Sequence, residues 1–334
     1  DEIGVVQWED GSYKGFKEET YTREMLSTSD RNYKTIGILR KINRLTIDND
    51  RNIYGAYNNQ NISSSIVFKT DKEGTLIWEQ KPGTVIQQPI LDNQKNVIVS
   101  ASVNGKGNLF KYSNSGDLKW AKELPTSGLT AYDTDEELNV YAGYRNTVSG
   151  VDKLVVKLDS ETGEITKTKV LLDQILAISY NEKLSKMFIL GANGGCYILN
   201  KELELLSQGV LDQSFSWVQY HDNGNATISS LNRVSYIDQD FKTLWLSSFS
   251  ASDNAIAINE LYDHYICAGN AIIRLNVYGQ DSQTVRGYGS IGYANSLGGN
   301  LIGYVHLDGD AVTIFQDNYA INKNIQLERI LNQV

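Results

Sequence analysis

Few side chains in this chain could hold a metal or move a proton. His221, His264 and His306 are its only histidines. They recur at steps of roughly 40 residues, the length of one supersecondary repeat. That regularity is what a tandem repeat produces unaided, and a shared metal would need all three to converge. The groups Asp48/Asp50, Asp133/Asp135/Glu136 and Asp308/Asp310 look like fragments of oxygen-rich calcium loops. None completes the acidic loop and distal Glu that supply six or more ligands. Such Asp side chains more commonly bond the backbone two residues on and so build a turn. Neither a metal nor a cofactor is expected.

Catalytic motifs are equally scarce. Gly-x-Ser-x-Gly, Walker-type and His-Glu-x-x-His patterns do not occur. Gly287, Gly289 and Gly292 give a Gly-x-Gly-x-x-Gly match, but a dinucleotide site needs a helix directly after it. Tyr293-Ala294-Asn295-Ser296 reads instead as a strand. Hydrolysis of a glycan would need two carboxylates ~5–10 Å apart. Asp173, Asp212, Asp253 and Glu260, near links between repeats, are the supply for that reading. The expectation is a protein that is not an enzyme, with an enzyme acting on a polysaccharide or small polar substrate as the rival.

What must position any site is a repeat. Thr46-Ile47-Asp48-Asn49-Asp50-Arg51-Asn52-Ile53-Tyr54 is echoed by Ile90-Leu91-Asp92-Asn93-Gln94-Lys95-Asn96-Val97-Ile98, and again from Ala131 to Tyr141 around Asp135 and Asn139. The first copy continues through strand-like Ser65-Ile66-Val67-Phe68-Lys69, the turn Asp71-Lys72-Glu73-Gly74, and Thr75-Leu76-Ile77-Trp78. Four short strands joined by tight turns make one antiparallel blade. A period near 40 residues held down a strand-rich chain is the mark of a β-propeller. The fold expected is therefore all-β, a propeller of four-stranded antiparallel blades. Seven blades fit the length, or eight if residues 1–33 build three more strands. Residues 1–33 read as an extension or tether, and residues 34–334 as one propeller closed by the N-terminal strand near 34–40.

The strings Lys69-Thr70-Asp71-Lys72-Glu73-Gly74-Thr75-Leu76-Ile77-Trp78 and Lys111-Tyr112-Ser113-Asn114-Ser115-Gly116-Asp117-Leu118-Lys119-Trp120 resemble the pyrroloquinoline-quinone-like repeat of quinoprotein propellers. Similar repeats occur in bacterial outer-membrane assembly factors and in phage tail or fibre proteins. The enzymatic branch implies a bound quinone, calcium and a vicinal disulfide. This chain has 2 cysteines, Cys196 and Cys267, which are not adjacent, and only 5 tryptophans. The resemblance therefore implies a non-enzymatic branch. Trp78, Trp120 and Trp245, at the end of outer strands, are expected to pack between blades.

Composition narrows the partners. A net charge of −9, without a basic stripe, argues against nucleic acid. No run approaches the ~18 apolar residues of a membrane span. Tyr outnumbers Phe, 20 to 8, which suits half-buried strand positions. Turns at one end of each blade are short and stereotyped, whereas the loops and links at the other end vary in length and chemistry. Variable loops on a rigid scaffold are where binding is usually placed. The candidate ligand-contacting residues there are Tyr57, Gln87, Gln88, Arg145, Trp217 and Arg233. The expected function is a binding or assembly module that engages a protein or glycan, in an extracellular, cell-surface or virion setting.

Overall fold

The structure is a computed structural model. It describes residues 5–6, 13–14, 31–37, 44–59, 64–85, 87–124, 129–144, 153–230, 232–249, 254–258, 262, 264–268, 271–276, 278–279, 281–286, 291–296, 301–306 and 311–317. Every regular element among these residues is a β-strand, and none is a helix long and apolar enough to cross a membrane. The chain forms two compact units. One holds residues 1–57, 69–77 and 250–334, and the other holds residues 58–68 and 78–249.

In the second unit the repeat gives successive four-stranded antiparallel sheets. The third copy is Leu129–Thr134, Val140–Tyr144, Leu154–Leu158 and Ile165–Val170. The fourth is Ile175–Asn181, Lys186–Gly191, Gly195–Asn200 and Leu205–Val210. The fifth is Trp217–Tyr220, Ala226–Ser230, Arg233–Ile237 and Thr243–Ser248. The second copy departs from this pattern at its start. Thr84 and Val85, the end of the strand Leu76–Val85, pair with Ser102 and Ala101, whereas the separate strand Ile90–Leu91 pairs with Ile98 and Val97. Pairing with Val97–Val103 is thus interrupted around Pro89, which has no amide hydrogen to offer a ladder.

In the other unit, Asn254–Ile258, His264–Ala268, Ala271–Leu275 and Asp281–Arg286 form one four-stranded sheet. A second runs Ile291–Ser296, Leu301–His306, Ala311–Asp317, then Arg31–Gly37 from the far end of the chain. Thr35 faces Thr313 across that last pairing. The short strands Val5–Val6 and Tyr13–Lys14 extend the same sheet outward. Gly292 lies within Ile291–Ser296, so a strand occupies the place a dinucleotide site would give to a helix; Gly287 and Gly289 lie outside the described residues.

The repeat's turns explain its acidic letters. Asp48 Oδ1 accepts the N–H groups of Asp50 (2.9 Å) and Asn52 (2.8 Å), while Oδ2 accepts from Asn52 Nδ2 and Tyr54 Oη. Asp92 and Asp135 accept from the same turn positions. These are turn-building carboxylates, as their local spacing predicts. A second device spans strands. Lys111 Nζ lies 2.9 Å from Asp92 Oδ2, both side chains wholly buried, and it also donates to the carbonyls of Leu138 and Ser160. Three acceptors thus satisfy the three ammonium protons. Lys157 repeats the arrangement more loosely, 3.8 Å from Asp135 and 5.6 Å from the centre of the Tyr141 ring.

Between neighbouring copies of the repeat in the second unit, tryptophan meets glycine. Trp78 Nε1 donates to Asn114 O (3.0 Å) and Trp120 Nε1 to Ser160 O (3.1 Å). Both indoles are buried. Gly116 and Gly163 lie beneath them at φ +93° and +69°, and a Cβ on either would sit 2.7 Å from the ring. Glycine is therefore required twice over, by dihedral and by space. The fourth and fifth copies invert the fit: Leu203 and Phe241 hold the glycine's turn position at positive φ. The Phe241 ring fills the space over Gly209 and contacts Phe188 edge-on at 5.7 Å. Trp245 is half-exposed and stacks on Tyr236 of its own sheet at 5.9 Å.

The histidines, evenly spaced in sequence, occupy unlike places. His221 opens a turn, buried, with Nε2 2.8 Å from Thr227 Oγ1. His264 is the first residue of its strand and His306 the last of its own. Turns and links differ in length by a few residues, so equal steps in sequence drift against the strand register.

Candidate functional site

Along the inner edge of the second unit, consecutive first strands lie side by side without forming a common sheet. Side chains join them instead. Asp133 Oδ2 accepts the Tyr180 N–H at 2.7 Å, with Oδ1 on Thr134 N at 2.9 Å. One sheet further on, Ser179 Oγ accepts the Tyr220 N–H at 2.9 Å. These staples satisfy amides that a ladder would otherwise hold. A bulge between Ile175 and Ala177 breaks the register of one of these strands and leaves Leu176 on the inner edge.

A cavity of about 260 Å³ opens there. Its polar wall is made by Gln87, Gln88, Asp133, Ser179 and Ser216. Its apolar wall is made by Ile90, Ala131, Tyr132, Leu176, Ala177, Ile178, Trp217 and Val218. The break around Pro89 turns residues 87–88 toward the cavity, and the Tyr132 hydroxyl pins that segment by donating to Gln88 O at 2.5 Å. Trp217 is half-buried at the start of its strand.

Asp133 is the cavity's one carboxylate. Burial pushes its carboxyl up to about 6, against the lowering effect of the Tyr180 and Thr134 N–H donors; Glu182 adds a further upward push. Burial likewise holds His221 down at about 4 and the free Cys196 thiol up at about 12. These last two are core groups away from the cavity.

Gln87, Gln88 and Trp217, assigned from sequence to links between repeats, thus meet in one cavity. Arg233 does not join them: it begins the third strand of the fifth copy and bonds the Gln213 side chain. Tyr57 is buried in the strand Ile53–Asn59 of the other unit, and Arg145 lies outside the described residues. Among the proposed carboxylates, Asp173 is buried and accepts from Asn193 N (2.7 Å), Asn193 Nδ2 (2.9 Å) and Gln174 N (2.8 Å), a loop-fixing role. Asp212 is exposed, and Asp253 and Glu260 lie outside the described residues. No group of three or more His, Cys, Asp or Glu side chains suited to a metal occurs among the described residues. Sequence reasoning read Asp133 as a fragment of a turn. No local signal marked it, because its partner Tyr180 lies 47 residues further along the chain.

No protein-family model and no curated protein sequence matches this chain. Solved structures do resemble it. Raptor from Chaetomium thermophilum aligns with a TM-score of 0.68 at 11% identity over 85% of this chain, which spans only 28% of that protein's chain. BamB from Moraxella catarrhalis aligns at 0.58 and 15% identity, covering 84% of this chain and 96% of that one. Streptogramin B lyase aligns at 0.66 and 11% identity, covering 86% and 97%. At such identities the likeness shows the fold alone. The fold is an all-β propeller of four-stranded antiparallel sheets, and the sheets are consistent with seven blades.

Proposed function

We propose that this chain is a non-enzymatic binding module that engages a protein partner at the inner edge of its second unit. The supporting observation is the convergence of Gln87, Gln88 and Trp217, from separate links, on one cavity that also holds Asp133 and Ser179. At about 260 Å³ it falls below the roughly 300–1,000 Å³ of sites for drug-sized ligands. One projecting side chain fits such a volume better than an oligosaccharide does, so a protein is the preferred partner and a glycan the alternative. We further read the repeat as the non-enzymatic branch of the quinoprotein-like propellers, in a cell-surface or phage-tail assembly.

Hydrolysis is the second reading, favoured by a carboxyl near neutrality at Asp133. Against it, glycoside cleavage uses a pair of carboxylates, and the cavity has a single one whose oxygens already accept backbone N–H groups. The test replaces Gln88 or Trp217 with a photo-reactive residue and captures partners in lysate of the source organism. The reading expects one protein, cross-linked from both positions and lost with Trp217→Ala. Capture unaffected by Trp217→Ala, or turnover of a glycan panel that Asp133→Asn abolishes, would overturn it.

A further inference from the structure

Resting on that binding reading, we infer that the cavity is a receptor for a cation on a flexible stem, the side chain of an arginine or lysine presented by the partner. Four observations carry it. The first is charge. Among the described residues that line the cavity, Asp133 is the one carboxylic acid and none is Lys, Arg or His. The charge that acts on Asp133 is a second carboxylate, Glu182, whose own hydrogen bond comes from the neutral Asn93 amide at 2.8 Å. The site is therefore negative, with no cation of its own.

The second observation is spare acceptor capacity. Each Asp133 oxygen accepts one backbone N–H, and an ionised carboxylate offers about four acceptor sites. A guanidinium or ammonium group can use the remainder, joined by the hydroxyl of Ser216. The third is the wall opposite in chemistry. Trp217 is half-exposed, and indole is the best of the aromatic faces for a cation. Ile90, Leu176 and Ile178 supply apolar surface for a methylene stem, which long basic side chains readily bury.

The fourth is energetic. Burial raises the Asp133 carboxyl, which means the carboxylate is desolvated without full compensation. Two carboxylates of the repeat's turns in this unit have a lysine: Asp92 has Lys111 and Asp135 has Lys157. Asp133, unlike these two, has no lysine among the described residues that line its cavity.

The test titrates the full chain with the acetylated, methylamide-capped forms of arginine, lysine, citrulline and glutamate, followed by amide chemical shifts of Tyr180 and Thr134. Citrulline has arginine's shape without its charge. Arginine or lysine is expected to bind at least about tenfold tighter than citrulline, a difference of ~1.4 kcal/mol, and glutamate to leave those amides unmoved. Asp133→Asn should erase the preference. Trp217→Ala should weaken arginine while Asp133 and the fold, checked by its thermal midpoint, stay intact. Equal binding of arginine and citrulline overturns the cation assignment while leaving the cavity a binding site. Absence of binding by every cationic probe at millimolar concentration overturns the inference, and the cross-linking result then decides the wider reading separately.

Discussion

Lys111→Met is the most direct test of how this repeat is held together. The substitution keeps most of the side-chain volume and removes the ammonium that lies 2.9 Å from Asp92 Oδ2, both groups wholly buried. Asp92 keeps its turn bonds from Gln94 N, Asn96 N and Asn96 Nδ2, but loses its only cation. Leu138 O loses the Lys111 donor at 3.1 Å, whereas Ser160 O retains the Trp120 indole at 3.1 Å. Breaking one side of a buried pair costs about 3–5 kcal/mol, and the orphaned carbonyl falls within that range. The fourth copy shows the repair. By strand register Asn181 stands where Asp92 does and Ile198 where Lys111 does, so both charges are absent together. Asp92→Asn combined with Lys111→Met should therefore cost about 2 kcal/mol or less, what is left being an unpaired carbonyl. Urea unfolding at neutral pH, followed by tryptophan fluorescence, measures the cycle. Expected is a single-mutant loss above about 3 kcal/mol with a coupling of at least about 2. A Lys111→Met loss under about 1 kcal/mol, or a double mutant as unstable as the summed singles, would refute the argument.

Gly163→Ala should cost about 2–4 kcal/mol, because it adds a left-handed Cβ and drives it against Trp120; Gly105→Ala, also at positive φ but with nothing within 4 Å, should cost only about 1. Equal shifts in urea midpoint would remove the tryptophan from the explanation. Two pH effects should oppose each other. His221 is held at about 4 from 6.5, so its contribution is present above pH 6.5 and lost as pH falls toward 4. Asp133 is raised to about 6 from 3.8, so its contribution is present below pH 3.8 and lost as pH rises through 6. Each spans up to about 3 kcal/mol. Relative to the parent, Asp133→Asn should therefore steepen the rise of stability from pH 4 to 6, and His221→Gln should turn it downward. Identical pH profiles for the two variants would contradict both assignments.

The sequence by itself determined the strands, their turns and the all-β propeller class. Those features are local: Asp48, Asp92 and Asp135 bond backbone within four residues of themselves, so a short string carries the whole cause. The packing of Trp78 and Trp120 between blades was also legible, since a large flat apolar group at a fixed repeat position needs a surface to cover. The fourth and fifth copies looked degenerate for the opposite reason. Their changes are reciprocal across space, Phe241 with Gly209 and Asn181 with Ile198, and letters lying tens of residues apart show no link along the chain. Only the tertiary structure decided that Gln87, Gln88 and Trp217 share a cavity with Asp133 while Arg233 bonds elsewhere. Which links converge depends on an interrupted pairing at Pro89, a bulge beyond Ile175 and the staples between adjacent first strands, and each of these sets direction in three dimensions rather than spacing in one.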